Sequence, residues 1–156
     1  MSESIGLYQL VLFMEEAFRE GKTATLVASG NSMVPLLHHG IDSVVLGECK
    51  NPQNLKRLDV PLYRRPDGKY VLHRIVKVHK DSFDMCGDAQ REIERNVPKS
   101  AVVAQAVGFI RKGRQFSVNS PKYRLYALLW CSIIPLRKLA FRLNYKIRGR
   151  KTNEKN

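Results

Sequence analysis

Residues 59–80, DVPLYRRPDGKYVLHRIVKVHK, hold two runs rich in β-branched and aromatic residues on either side of RPDGK. Proline followed by Asp-Gly presets a tight reversal, so the two runs, 59–63 and 70–80, read as strands joined by a turn. In the second run Val71, His73 and Ile75 fall on one face of the expected strand. The same period of two recurs outward in TATLVAS (23–29), DSVVLGE (42–48), SFDMC (82–86) and AVVAQAVGFIRK (101–112), punctuated by HHG and NPQN. Ahead of these strands, residues 4–20 carry Leu7, Leu10, Val11, Met14 and Phe18 at helical spacing, with Gly21 as a stop. The expectation is a mainly β fold, a folded-over sheet or partial barrel. An N-terminal amphipathic helix occupies 1–22, the β domain 23–118 and a helical basic tail 119–156.

The chain has 156 residues, enough for one domain with a packed core that needs neither disulfides nor metals. Its three cysteines, Cys49, Cys86 and Cys131, have no paired spacing, which favours a reducing compartment. The first apolar stretch is broken by acids and lacks a basic start, so it does not read as a signal peptide. The net charge of +13 is concentrated: residues 1–110 carry 14 bases against 13 acids, residues 111–156 carry 13 against 1. Beside those bases lies LYALLWCSIIPL (125–136), too short to span a bilayer. Leu128, Leu129, Trp130, Ile133 and Ile134, followed by Arg137 and Lys138, combine apolar area with positive charge, as binding to an anionic membrane surface requires. Docking of this segment on the β body is the alternative, and nucleic-acid binding is disfavoured. A peripheral location on the cytoplasmic face is the expectation.

Three segments could carry chemistry. SGNSMVP (29–35) places Ser32 in a turn-rich loop, where most serines are simply turn residues. His73 is the one imidazole on an aliphatic strand face; such a histidine is usually structural, yet a serine nucleophile needs a base of its proton affinity. Asp88 in CGDAQ (86–90) could hold that imidazole's orientation. His38-His39 lacks a third ligand at suitable spacing, so no metal and no cofactor is expected, and His79 reads as an exposed strand residue.

In this order and spacing the three segments resemble the boxes of the signal peptidase I family and its repressor-type relatives, over about residues 26–110. SGNSMVP looks like that family's nucleophile box, LKRLDVPLYRRPDGKYVLHRIVKV like its strand pair, and MCGDAQREIE like its later Gly-Asp box. His73-Arg74 is similar to the histidine-type branch of the endoplasmic reticulum, archaea and some bacterial relatives, whereas bacterial signal peptidases and the self-cleaving repressors use a lysine on this strand. The resemblance implies Ser32 as nucleophile, His73 as general base and Asp88 as orienting carboxylate. Asn31 would support the oxyanion, and Glu94 falls near a further acidic position of that branch. Leu58 stands in place of a usual glycine, Gln90 in place of a common asparagine, and Gly30 lacks a hydroxyl that some members use.

The resemblance therefore implies a serine endopeptidase that cleaves a signal or leader peptide from a precursor, binding it as an extended strand. Its rivals are a specialised cytosolic maturation protease for one leader peptide and a non-catalytic repressor-type regulatory domain. An imidazole base of ordinary pKa would place the acid limb of activity near pH 6 to 7.

Overall fold

The computed structural model describes residues 2–133, with side chains from residue 9 onward, so Leu7, Ile134, Arg137 and Lys138 lie outside the described side chains. Helix α1 spans Ser2–Arg19. Val11, Met14 and Phe18 are buried at three- and four-residue steps, each contributing about 1.5–3 kcal/mol relative to exposure. Gly21, at φ 71°, closes the helix: its N–H donates to Phe18 O (2.9 Å) and that of Lys22 to Ala17 O (2.9 Å). This is the left-handed cap that glycine enters without steric cost.

The chain then forms β1 (Ala24–Val27), β2 (Ser43–Glu48), β3 (Pro61–Arg64), β4 (Tyr70–Leu72), β5 (Arg74–Val78) and β6 (Ser82–Cys86). β7 (Glu94–Pro98), β8 (Val102–Arg111), β9 (Arg114–Ser117) and helix α2 (Pro121–Ser132) follow. The fold is mainly β, 37% strand against 23% helix, with the larger sheet curled into a half-barrel. That sheet is antiparallel, in the order β1-β2-β8-β3-β4 with β9 on β8, and a smaller sheet runs β5-β6-β7. The main core lies under the curl, where Met14 and Phe18 of α1 meet Leu46, Val60, Phe109 and, from α2, Tyr123 and Ala127. A second cluster, Leu55, Tyr63, Ile75, Phe83, Met85 and Val97, joins the smaller sheet to β3. Both helices thus share a core with the β body.

Two outcomes differ from the pattern-based expectation. The single strand expected over 70–80 is broken at His73: β4 pairs with β3 in one sheet and β5 with β6 in the other. The break follows the junction, because Ile75 N–H donates to Asp59 O (2.8 Å) and Leu58 N–H to Ile75 O (2.9 Å), which turns the chain into the second sheet. Leu58 holds φ 86° there, a left-handed conformation that favours glycine. β7 and β9 were not anticipated, since ERNVP and RQFS are too polar to show a buried alternation.

Candidate active site

Ser32 sits in a loop tied at both ends. Ala28 N–H donates to Asp42 O (2.8 Å) and Gly40 N–H to Ala28 O (2.9 Å). The adjacent histidines serve this loop. His38 places Nδ1 2.8 Å from the buried Asp42 carboxylate, and His39 Nδ1 accepts from Gly30 N–H (2.9 Å). Asn31 accepts from His39 N–H through Oδ1 (3.4 Å), so its carbonyl side supports the loop. Hydrogen bonding to His38 and to backbone N–H groups outweighs burial and holds the Asp42 carboxyl below its ordinary range. Among the described residues no group of three or more His, Cys, Asp or Glu is placed to hold a metal ion.

Sheet register brings the second and third segments to this loop. Arg74 pairs with Cys86 across β5 and β6, so the next positions, His73 and Gly87, come side by side. The turn after β6 then receives the Ser32 loop, with Ala89 N–H donating to Ser32 O (2.8 Å). Gly87 is needed for space. A β-carbon there would lie 2.6 Å from the Ser32 carbonyl oxygen and 3.1 Å from His73 Nε2. Ser32 and His73 therefore flank one point, and both line one cleft of about 630 Å³. Its other walls include Leu10 and Met14 of α1, Thr25–Ala28 and Tyr70–Leu72. The last two segments carry β1 and β4, the two ends of the larger sheet's strand order.

His73 is 1% exposed. Burial, and secondarily the positive charge of Arg65, pull its pKa from 6.5 down to about 4. The ring is thus neutral over the physiological range. Its Nδ1 lies 3.2 Å from the Tyr63 hydroxyl, which donates to Glu94 Oε2 (2.7 Å). Arg65 closes the chain with Nε 3.0 Å from both Glu94 oxygens. Despite partial burial, hydrogen bonds from Arg65 and Tyr63 hold the Glu94 carboxyl below its ordinary range.

Asp88 is placed differently from the expected orienting role. Its two oxygens accept from Arg74 Nε (2.8 Å) and Nη2 (2.7 Å), in a pair whose side chains are 1% and 2% exposed. An ionised carboxylate beside a guanidinium fork forms the stronger bidentate pair. Asp88 also holds α2, accepting from Tyr126 Oη (3.0 Å) through its side chain and from Trp130 Nε1 (2.9 Å) through its carbonyl. Arg74 donates to Tyr123 Oη (2.9 Å) as well. Tyr63 and Arg65 were not singled out from the sequence, and Arg74 entered only as the residue after His73 in the branch resemblance, with no role assigned. The one available signal was that a buried imidazole and a buried carboxylate each require a partner.

The tail residues divide. Trp130 is half-buried against the body, and Ile133, also half-buried, ends α2, whereas Leu125, Leu128 and Leu129 are 58%, 47% and 60% exposed. His79 is half-buried, with Nε2 3.0 Å from Asp84, and Cys86 is buried. Among known proteins, the chain matches no family model and no curated sequence.

Proposed function

We propose that the chain is a serine endopeptidase, with the resemblance to the histidine-type branch of signal peptidase I giving the reaction class. The observation that carries this reading is that Ser32 and His73 line one cleft walled by the edge strands β1 and β4, with Gly87 packed against the Ser32 carbonyl and His73 Nε2. A neutral imidazole beside a serine takes the hydroxyl proton as oxygen attacks a carbonyl, then returns it to the leaving amine. The Ser32 N–H, with the Asn31 amide, would stabilise the oxyanion. An extended substrate would add to the edge of β1 or β4 through main-chain hydrogen bonds, which tolerates many sequences. Removal of a signal or leader peptide is the function this supports best. A single-substrate maturation protease shares every one of these features.

The test is incubation with a library of proteome-derived peptides rich in small residues, with new termini read by mass spectrometry from pH 3 to 9. The wild-type chain is expected to produce fragments that His73→Ala does not. The acid limb of kcat/KM should lie near pH 4, well below the 6 to 7 of an unperturbed imidazole, because burial depresses the pKa of the base. Stability has the matching sign. Between pH 6.5 and about 4 the unfolded chain binds the proton that folded His73 refuses, so roughly 3 kcal/mol is lost as pH falls through that window. Equal cleavage by both proteins would overturn the reading, as would a library left intact at every pH.

We also propose that the enzyme works at an anionic membrane surface. α2 fastens one face to Arg74 and Asp88 and turns Leu125, Leu128 and Leu129 outward, ahead of a strongly basic stretch of sequence. Bases contribute about 1 kcal/mol each near such a surface and are screened by salt, whereas apolar contact is not. Binding to vesicles containing phosphatidylserine should weaken but persist as salt rises. Replacing the three leucines by serine should remove the persistent part. Because Trp130 is held on the Asp88 carbonyl, vesicle sedimentation is the readout rather than tryptophan emission. Full binding by the triple variant at high salt would sink the proposal.

A further inference from the structure

We infer that the Tyr63 hydroxyl, backed by Glu94 and Arg65, is the positioning group that decides which nitrogen of His73 carries the proton. The argument is a count of hydrogens. Glu94 is ionised beside Arg65, so it can only accept, and the single Tyr63 proton goes to it over 2.7 Å. Tyr63 then has only lone pairs left for His73 Nδ1, 3.2 Å away. The Nδ1 nitrogen must therefore be the protonated one in the neutral ring. Nε2, which faces Gly87 and the Ser32 loop, is left bare. A base needs that lone pair on the serine side.

Asp88 accepts from Arg74 at both oxygens and from Tyr126 at one of them, whereas the side chain within hydrogen-bond distance of His73 Nδ1 is Tyr63. Tyr63 is fully buried, and its ring packs with Ile75, Phe83 and Met85. Its hydroxyl is thus held by the same cluster that ties the smaller sheet to β3. A phenol is a weaker partner for an imidazolium than a carboxylate in direct contact. The arrangement favours the neutral ring at rest and leaves the negative charge of Glu94 one group removed. The charged and titratable groups facing His73 are Tyr63 and Arg65 from the β3 side, Glu94 from β7 and Asp88 from the turn after β6.

The kinetic consequence rests on the peptidase reading, but the tautomer does not, so the test separates them. Nitrogen NMR of the full chain with labelled histidine should show His73 in the Nδ1–H form between pH 6 and 8, assigned by comparison with His73→Gln. Tyr63→Phe keeps the ring in its cluster and removes the acceptor, so the Nδ1–H population should fall, with kcat reduced about 10- to 100-fold and KM little changed. Glu94→Gln keeps an acceptor for the Tyr63 proton. It should retain the Nδ1–H tautomer while moving the acid limb to lower pH, because the negative charge that raises the His73 pKa is gone. A wild-type ring in the Nε2–H form, or a tautomer unchanged in Tyr63→Phe, would overturn the inference. An Nδ1–H ring that shifts in Tyr63→Phe, in a protein that cleaves nothing, would uphold the positioning and reject the peptidase reading.

Discussion

Ser32→Ala is expected to abolish peptide cleavage, with kcat lower by roughly ten-thousand- to million-fold, the range seen when the nucleophile of an acting unit is removed. The fold should survive. The contact that fixes the loop to the turn after β6 runs through the Ser32 carbonyl, which alanine keeps, and the tie between Gly30 and His39 lies outside the side chain. Stability should then change by no more than about 0.5 kcal/mol, as for substitutions that touch no buried network. Rates measured on a good substrate, alongside thermal melts of both proteins, check both halves. Wild-type rates in the alanine variant would remove Ser32 from the mechanism.

Asp88→Asn is expected to act first on stability. Arg74 remains positively charged and buried, with its bidentate counter-ion replaced by a neutral amide. Breaking a buried pair from one side costs about 3–5 kcal/mol, which for a chain of this size corresponds to roughly 10 °C in Tm. The grip on α2 should loosen too, because Tyr126 donates to the same carboxylate. If Asp88 instead oriented His73 directly, the variant would melt near the wild-type temperature and lose turnover alone. Calorimetry together with cleavage at low temperature separates the two. A near-normal Tm with strongly reduced kcat would restore the orienting role to Asp88.

Local chemistry made much of this molecule legible. The apolar stripe Leu10, Val11, Met14 and Phe18 and the glycine after it specify α1 and its end, because helical period and left-handed capping act within a few residues. The turn at Pro66-Asp67-Gly68 and the runs beside it specify the β3–β4 hairpin for the same reason. The tail was harder. Tyr123, Ala127 and Cys131 are buried while Leu125, Leu128 and Leu129 are exposed, which hydropathy alone orders the other way. Docking was decided by Arg74 and Asp88, more than thirty residues upstream, and no pattern within the helix contains them.

At the site the division is sharper. Residue types identified a hydroxyl, an imidazole and a carboxylate with compatible chemistry, but partner choice is a matter of three-dimensional competition. Asp88 faces a guanidinium whose fork fits both its oxygens, so it pairs there. His73 stands where one expected strand divides between two sheets, and the group that reaches its Nδ1 comes from β3, with Glu94 arriving from 31 residues further along. Gly87 is required because the Ser32 carbonyl approaches from a loop 55 positions earlier. These are contacts between distant segments brought together by register and packing. Their energies depend on separations that exist only once both sheets have formed.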